Sequence, residues 1–538
     1  MIKTFNTLQE MLNQSVTKHS NRNCLAFVDS VPISYKEFGL QVYNLSNALI
    51  AIGITKGDKV AILSHNMPNW GVAYFAIINI GAVTVPLMPD FSEYEISNII
   101  EHSESKAIFV SERLAKKAQS SINKDINVIN IDNLALFTDS NTSDLNTNFP
   151  TILPNDLASI VYTSGTTGKS KGVMLSHHNL VEQLIMVSHL QPVFETDIYL
   201  SILPLPHTYE CSLGLLTNIM CGSSTYYLEK PPTPTILLPA LKKIKPTMIL
   251  SVPLIIEKIF KNSIYPKLTA TPLLRTLYKI PFFRKLMHKK ACTELVSIFG
   301  GNVRFFGIGG AKLSKQVEQF LIEGKVFPYA IGYGLTETAP LVAGVNPSMV
   351  KLQSTGPALK GIEIKINNPK FLTGEGEVWV KGANVMQGYY KDKLATESVF
   401  EDGWFKTGDI AVLNKNGYLS IKSRMKNVII GASGENIYPE DIESVINSHK
   451  LVNESIVLEQ KGKLVAMVQL NKEEFEKRYQ HWKVEWSEKS DKMMMELKEY
   501  VNSKVNKFSK ISIVIPIQED LERTATQKVK RFKYVEKL

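Results

Sequence analysis

Tyr162–His177 reads YTSGTTGKSKGVMLSH, and the kind of loop it contains decides the fold. Leu157–Tyr162 (LASIVY) is a short β-branched apolar run, the pattern of a buried strand. From Val173 to Leu190 apolar residues recur at helical spacing, so a helix is expected after the loop. Gly165 and Gly168 let the intervening backbone approach a ligand, and successive N–H groups can converge on an anion. The hydroxyls of Thr163, Ser164, Thr166 and Thr167 add short donors, and Lys169 and Lys171 add positive charge. Such a loop is built to hold phosphates. It is not a P-loop: G-x-x-x-x-G-K-[ST] ending at Ser170 requires glycine at 163, where this chain has Thr163.

With 538 residues the chain is too long for one ordinary domain. A hydrophobic content of 44% beside 21% charged residues is that of a soluble globular protein. A net charge of +10 favours acidic partners: nucleotides, coenzyme A, anionic lipid or an acidic carrier protein. A lysine-rich composition by itself gives the same balance. No nucleic-acid recognition motif accompanies the charge, so no nucleic-acid partner is expected. Cys24, Cys211, Cys221 and Cys292 are scattered without C-x-x-C spacing, as in reduced thiols of a cytoplasmic protein. The polar start MIKTFNTLQEMLNQ lacks the apolar core of a signal peptide. Trp70–Met88 is a long uncharged run, but its texture changes from helical to strand-like, predicting a buried helix and strand instead of a membrane span.

Through the first 150 residues helical and strand patterns alternate: helix from Tyr35 to about Ile52, strand Lys59–Ser64, helix Trp70–Ile80, strand Ala82–Leu87, helix Glu93–His102, strand Ala107–Val110. This rhythm implies doubly wound parallel sheet, with ligands at the carboxyl ends of strands. Asp132–Pro154 is polar and turn-rich, a surface excursion. Gly374–Gly388 alternates apolar and polar residues as in a hairpin. Tyr265–Leu295 sets Lys267, Arg275, Lys279, Arg284, Lys285, Lys289 and Lys290 beside leucines and phenylalanines, with Glu294 its only acid. That composition fits either an element lying on an anionic membrane, on the inner face of which the protein would then be peripheral, or a solvated amphipathic helix pair.

Thr163–Gly172 resembles the T-S-G-T-T-G-x-P-K-G signature of the adenylate-forming (AMP-binding) superfamily, with Ser170 where the family usually has proline. Further segments match in the family order. Arg304–Ala311 (RFFGIGGA) resembles the G-G-A segment, which implies that Gly309, Gly310 and Ala311 lie against adenine. Tyr329–Thr338 (YAIGYGLTET) resembles G-Y-G-x-T-E. By that likeness Tyr333 stacks on the purine, Thr336 donates to the α-phosphate, and Glu337, with Thr163, serves Mg²⁺ as a hard oxygen ligand. Asp402–Ile410 contains T-G-D, whose Asp409 takes the ribose hydroxyls. Gly417–Glu443 resembles the segment joining the large and small domains. It implies that Arg424 contacts ribose or phosphate, Lys426 is the hinge, and a turn with Gly431, Gly434, Glu435 and Asn436 serves the thiol side. Leu203–Glu210 (LPLPHTYE) resembles the acyl-pocket segment of fatty-acid-activating members, with His207 and Tyr209 where amino-acid-activating relatives usually carry an aspartate. His207 is equally readable as a structural histidine bonded to backbone. Thr524–Arg531 resembles the ending of long-chain acyl-CoA synthetases, with Lys528 as the adenylation lysine, Gln527 replacing the usual glycine, and Lys530 a nearby alternative.

The resemblance implies an α/β fold: a large N-terminal domain (1–424) of doubly wound sheets plus a β-rich subdomain, and a small mobile C-terminal lid (425–538). It implies an ATP- and Mg²⁺-dependent long-chain fatty acid–coenzyme A ligase, which passes through an acyl-adenylate. Transfer to an acyl carrier protein is the near alternative, and a non-catalytic lipid- or nucleotide-binding protein the distant one.

Overall fold

The computed structural model describes residues 5–119, 126–134, 149–163, 170–431, 435–460, 462–471, 486–523 and 529–535. The alternation in the first third folds as its pattern predicts. Tyr35–Ala51 and Glu93–Ser103 both start on capping boxes, Ser34 with Glu37 and Ser92 with Glu95. Pro68–Asn79, apolar all round, buries every residue from Trp70 to Asn79 and packs in the main core. No described helix is long and apolar enough to cross a membrane. Of the polar excursion at Asp132–Pro154, residues 135–148 lie outside the described residues.

Two large sheets result. One runs Gly388–Tyr389, Lys171–Ser176, Leu157–Thr163, Val83–Leu87, Lys59–Leu63, Ser105–Val110, Asn127–Asn130, and is parallel from Leu157–Thr163 onward. The other has eight strands, parallel through its centre: Leu341–Gly344, Tyr329–Gly334, Phe305–Ile308, Met248–Ser251, Ile198–Ser201, Ser224–Tyr227, Asn23–Phe27, Ile33–Ser34. Asn23–Phe27 pairs with Ser224–Tyr227, so the chain visits the second sheet before building the first. A five-stranded antiparallel sheet includes Glu363–Asn367, Gly376–Lys381, Trp404–Leu413 and Leu419–Arg424. The C-terminal domain has its own core around Ile442, Val457 and Leu497, on the sheet Val452–Gln460, Lys463–Leu470, Ile513–Ile517. The architecture is the mixed α/β one expected.

Two local expectations are corrected. The helix after the phosphate loop begins at His177, not Val173: Lys171–Ser176 is a strand paired antiparallel with Leu157–Thr163, Thr163 opposite Lys171. Ser176 ends that strand by capping the helix, its Oγ accepting from the Asn179 N–H while Asn179 Oδ1 accepts from the Ser176 N–H. A strand therefore stands on either side of the loop. Second, Gly374–Gly388 is not one hairpin. The strand stops at Lys381, and the chain crosses to the other sheet, where Gly388–Tyr389 pairs with Val173–Met174. Asn384, fully buried, holds that crossing by donating to the Thr338 and Leu341 carbonyls at 2.6 and 3.0 Å.

Candidate active site

Register places the first pair of site residues. In the antiparallel ladder of Trp404–Leu413 with Leu419–Arg424, Asp409 stands opposite Arg424. Arg424 Nε lies 2.8 Å from Asp409 Oδ1; the carboxylate side chain is 4% exposed, whereas the arginine is 43% exposed and lies over it toward solvent. Tyr333, from the eight-stranded sheet, donates its hydroxyl to Asp409 Oδ2 at 2.6 Å. Burial, then the neighbouring Asp409, push the Tyr333 phenol pKa well up, so it remains a donor. The Asp409 N–H donates to Thr407 Oγ1, and Arg424 Nη1 to the Thr407 carbonyl. A buried carboxylate is thus fixed from both oxygens beneath an open cationic side chain.

A second array stands on the phosphate-loop hairpin. Tyr389 donates its hydroxyl to Glu337 Oε1 at 3.0 Å, and Lys171 Nζ lies 4.7 Å from the Tyr389 ring centroid. The Tyr389 phenol is shifted upward by burial and then by Glu337, which again keeps it a donor. The Met386 N–H bonds the Glu337 carbonyl. Thr336–Thr338 is a single 3₁₀ turn, stapled by Thr338 Oγ1 to the Leu335 and Pro340 carbonyls. Thr163 stands opposite Lys171 in the strand pair that carries the loop. Ser164, Gly165, Thr166, Thr167, Gly168 and Lys169, in that loop, lie outside the described residues.

Two glycines are closely packed here, and at Gly334 a side chain has no room. A Cβ at Gly334 would overlap the Pro340 carbonyl oxygen and stand 2.7 and 2.9 Å from Pro340 C and Leu341 Cα, none of which can yield. A Cβ at Gly309 would stand 3.1–3.3 Å from the Tyr209 ring, which lies flush on the turn carrying Gly310 and Ala311. Tyr209 opens a π-helical segment, Tyr209–Leu216, a geometry common where a helix is re-aimed at a site. His207 Nδ1 accepts from the Tyr209 N–H at 3.1 Å, so the backbone-bonded role open in the sequence is present. Beneath them Glu210 is fully buried, its oxygens bonded to Tyr199 and Ser201 at 2.7 and 2.6 Å. Burial pushes its carboxyl pKa up to about 8.

The C-terminal domain meets this region through Glu440, which accepts from Ser423 and Asn427, and through Lys312–Asp441 at 2.7 Å. Lys261 caps the end of the helix Pro439–Asn447 by donating to the Asn447 and Val452 carbonyls. Lys426 sits in the 3₁₀ turn Met425–Asn427 that joins the two parts. Gly431, Glu435 and Asn436 belong to the hairpin Ile429–Ile430 with Asn436–Ile437, and Gly434 lies outside the described residues. So does Lys528. Sequence reasoning passed over Tyr389, Asn384 and Gln183. The two amides are polar residues inside apolar stretches, a signal of buried hydrogen bonding; Gln183 Oε1 accepts from Asn384 and from the Leu341 N–H. Nothing in its neighbourhood marks Tyr389.

Residues 12–390 match the family model described as AMP-binding enzyme, and residues 426–538 match the AMP-binding enzyme C-terminal domain. The chain belongs to the AMP-binding enzyme family. Its relatives in that family include the long-chain-fatty-acid–CoA ligase FadD15 of Mycobacterium bovis, 28% identical over 82% of this chain and 78% of that protein. Fatty acyl-CoA synthetase A of Dictyostelium discoideum is 30% identical over 77% of this chain and 68% of that protein. Among solved structures, the O-succinylbenzoate coenzyme A synthetase of Bacillus subtilis in complex with AMP superposes with a TM-score of 0.78 at 24% identity, covering 97% of both chains. The same synthetase is known in complex with ATP and a magnesium ion. AMP-binding enzymes of the adenylate-forming acyl–CoA ligase kind use ATP, Mg²⁺ and coenzyme A. The residues here fit the metal. Among the described residues no group of three or more His, Cys, Asp or Glu side chains could hold an ion alone. Mg²⁺ needs no such group, since it takes one or two protein oxygens and completes its octahedron with phosphate oxygens and water. Glu337, held by Tyr389, is a donor of that type.

Proposed function

We propose that this enzyme activates a long-chain fatty acid through an acyl-adenylate to a coenzyme A thioester, releasing pyrophosphate and AMP. The observation that carries the reading is the pair of tyrosine-held carboxylates, Asp409 with Arg424 beside it, and Glu337 on the Tyr389 whose ring Lys171 overlies. One array suits a ribose, the other a polyphosphate with its metal. A carboxylate is a poor electrophile because its leaving group would be oxide. Attack on the α-phosphorus of ATP forms the acyl–phosphorus anhydride and expels pyrophosphate; a thiol then displaces AMP. Glu337 and Thr163 would hold Mg²⁺, which would supply neutralisation of phosphate charge. The chain's own part is to fix the ribose with Asp409, to rest adenine on Gly309–Ala311 and Tyr333, and to donate to the α-phosphate from Thr336. Thr163–Lys171 binds the leaving phosphates and Lys528 completes the positive field. No side-chain nucleophile is required.

The long apolar acid is supported by the PLPHTYE segment, by Tyr209 and His207 in place of an amine-binding aspartate, and by relatives named for fatty acids. The two half-reactions need Lys528 and then the turn around Gly431–Asn436 at one centre. In this reading the C-terminal lid, from residue 425, therefore rotates about Lys426 between them. We assign the protein to the cytoplasm. ATP–pyrophosphate exchange across acids from acetate to oleate tests the substrate: each buried CH₂ contributes up to about 0.8 kcal/mol, so exchange should climb toward about C12–C18. A flat profile, or a maximum at acetate or an aromatic acid, refutes the long-chain assignment. Thioester assays with coenzyme A and with acyl carrier protein separate the two acceptors.

A further inference from the structure

Between the strands Met248–Ser251 and Phe305–Ile308 the chain makes a helical excursion whose outer part is Pro272–Lys279 followed by Pro281–Ile298. The second helix is anchored along one side. His288, Ala291, Cys292 and Leu295 are buried, and Arg284 makes a two-point ion pair with Glu323 (Nε–Oε2 3.0 Å, Nη2–Oε1 2.7 Å). His288 joins the helices to each other, Nε2 lying 3.1 Å from the Tyr278 hydroxyl. The first helix, by contrast, buries no residue.

What this rigid frame holds outward is apolar. Leu273 is 68% exposed, Phe282 67% and Leu286 53%, with Ile280 and Phe283 also in solvent. Ile280 alone separates the helices, so Phe282 and Phe283 form the tip of the elbow, their rings edge to face at 5.5 Å. Lys279, Lys285, Lys289 and Lys290 are exposed around them and make no ion pair among the described residues. In a solvated amphipathic helix pair the apolar residues would face the domain; here Leu273, Ile280, Phe282, Phe283 and Leu286 face solvent instead.

The geometry points to the elbow as a docking surface for an anionic lipid bilayer, Phe282 and Phe283 entering the acyl boundary while the lysines meet headgroups. Charge and residue type select this occupant. Interfaces between proteins are poor in lysine and favour arginine, whereas lysine stems snorkel from an apolar contact to a charged surface. Of the two arginines here, Arg284 is committed to Glu323 and Arg275 Nε to the Thr269 carbonyl. The docking does not depend on which acid or thiol the enzyme uses.

The test is co-sedimentation of the full chain with phosphatidylcholine vesicles containing about 30% phosphatidylglycerol, against pure phosphatidylcholine. The wild type should bind the anionic vesicles and weaken with salt. K285E/K289E/K290E should lose about 100-fold in partition or more, and F282S/F283S about tenfold or more, both with unchanged turnover of a soluble acid. A Phe282→Trp variant should show an emission blue shift, beyond any shown by the wild type, on anionic vesicles only. Equal binding to neutral vesicles, undiminished binding by the charge-reversed variant, or no added shift from the introduced tryptophan overturns the proposal. So does failure of the wild type to bind. A concentration-dependent dimer in sedimentation velocity that F282S/F283S abolishes, without vesicle binding, reassigns the face to a second copy of the chain.

Discussion

Tyr333→Phe removes one oxygen from the nucleotide array and leaves its shape intact. The lost bond is the 2.6 Å donation to Asp409 Oδ2, made to a carboxylate that is 4% exposed. A hydrogen bond to a charged group contributes about 1.5–3 kcal/mol. Asp409 keeps Arg424 on its other oxygen, so the carboxylate should stay paired but turn more freely about the Arg424 Nε contact. If orienting that carboxylate for ribose is what the bond does, the loss appears in ATP binding: KM for ATP should rise about 10- to 150-fold. On the proposed acyl-pocket role of Tyr209 and His207, which are untouched, the KM for the acid should change little. The assay is ATP–pyrophosphate exchange with ATP titrated at saturating acid, with thermal unfolding alongside. Arg424→Lys keeps the charge but loses the Nε donor, and the double variant should show coupling, since both act on one carboxylate. A KM for ATP within about threefold of wild type would refute the assignment of this array to ribose.

Glu337→Gln keeps size and the Tyr389 contact but removes the anion, so exchange activity should fall by orders of magnitude with a raised Mg²⁺ requirement; an unchanged Mg²⁺ dependence refutes the metal role. Gly334→Ala forces a Cβ into the Pro340 carbonyl, so the turn carrying Thr336 and Glu337 must move. Overpacking of this kind costs about 1–3 kcal/mol, and adenylation should drop together with thermal stability; wild-type behaviour in both shows that the turn can yield. Glu210 supplies a pH dependence with a definite sign. Its folded pKa of about 8 exceeds the ordinary 4.5, so between those values the folded state holds a proton that the unfolded state has released. Stability therefore falls as pH rises through that window, and Glu210→Gln should flatten the fall, read by denaturant unfolding at several pH values. Identical slopes in variant and wild type would place the pH dependence elsewhere.

Periodicity and turn chemistry were sufficient for the helices and strands between Tyr35 and Val110. Capping serines at 34 and 92, and an all-apolar run from Trp70, are local signals that tertiary contacts do not have to overrule. The same local physics misled at Lys171–Ser176. Its apolar residues, Val173–Leu175, are three in a row and fit a helix or a strand alike, and only pairing with Leu157–Thr163 chose the strand. The candidate site residues could be chosen from the sequence because glycine, threonine, aspartate and glutamate stand in the family's order in the chain. How they act on one another could not be read there. The bonds from Tyr333 to Asp409 and from Tyr389 to Glu337 join residues 76 and 52 positions apart. No periodic pattern encodes such a separation, because it depends on how sheets are stacked and where the crossing at Asn384 delivers the next strand. Exposure is likewise a property of the assembled chain. The composition of Tyr265–Leu295 suits a buried helix face or a bare one alike, and Phe282 is left in solvent because the Arg284–Glu323 pair fixes the helix with its other side to the domain.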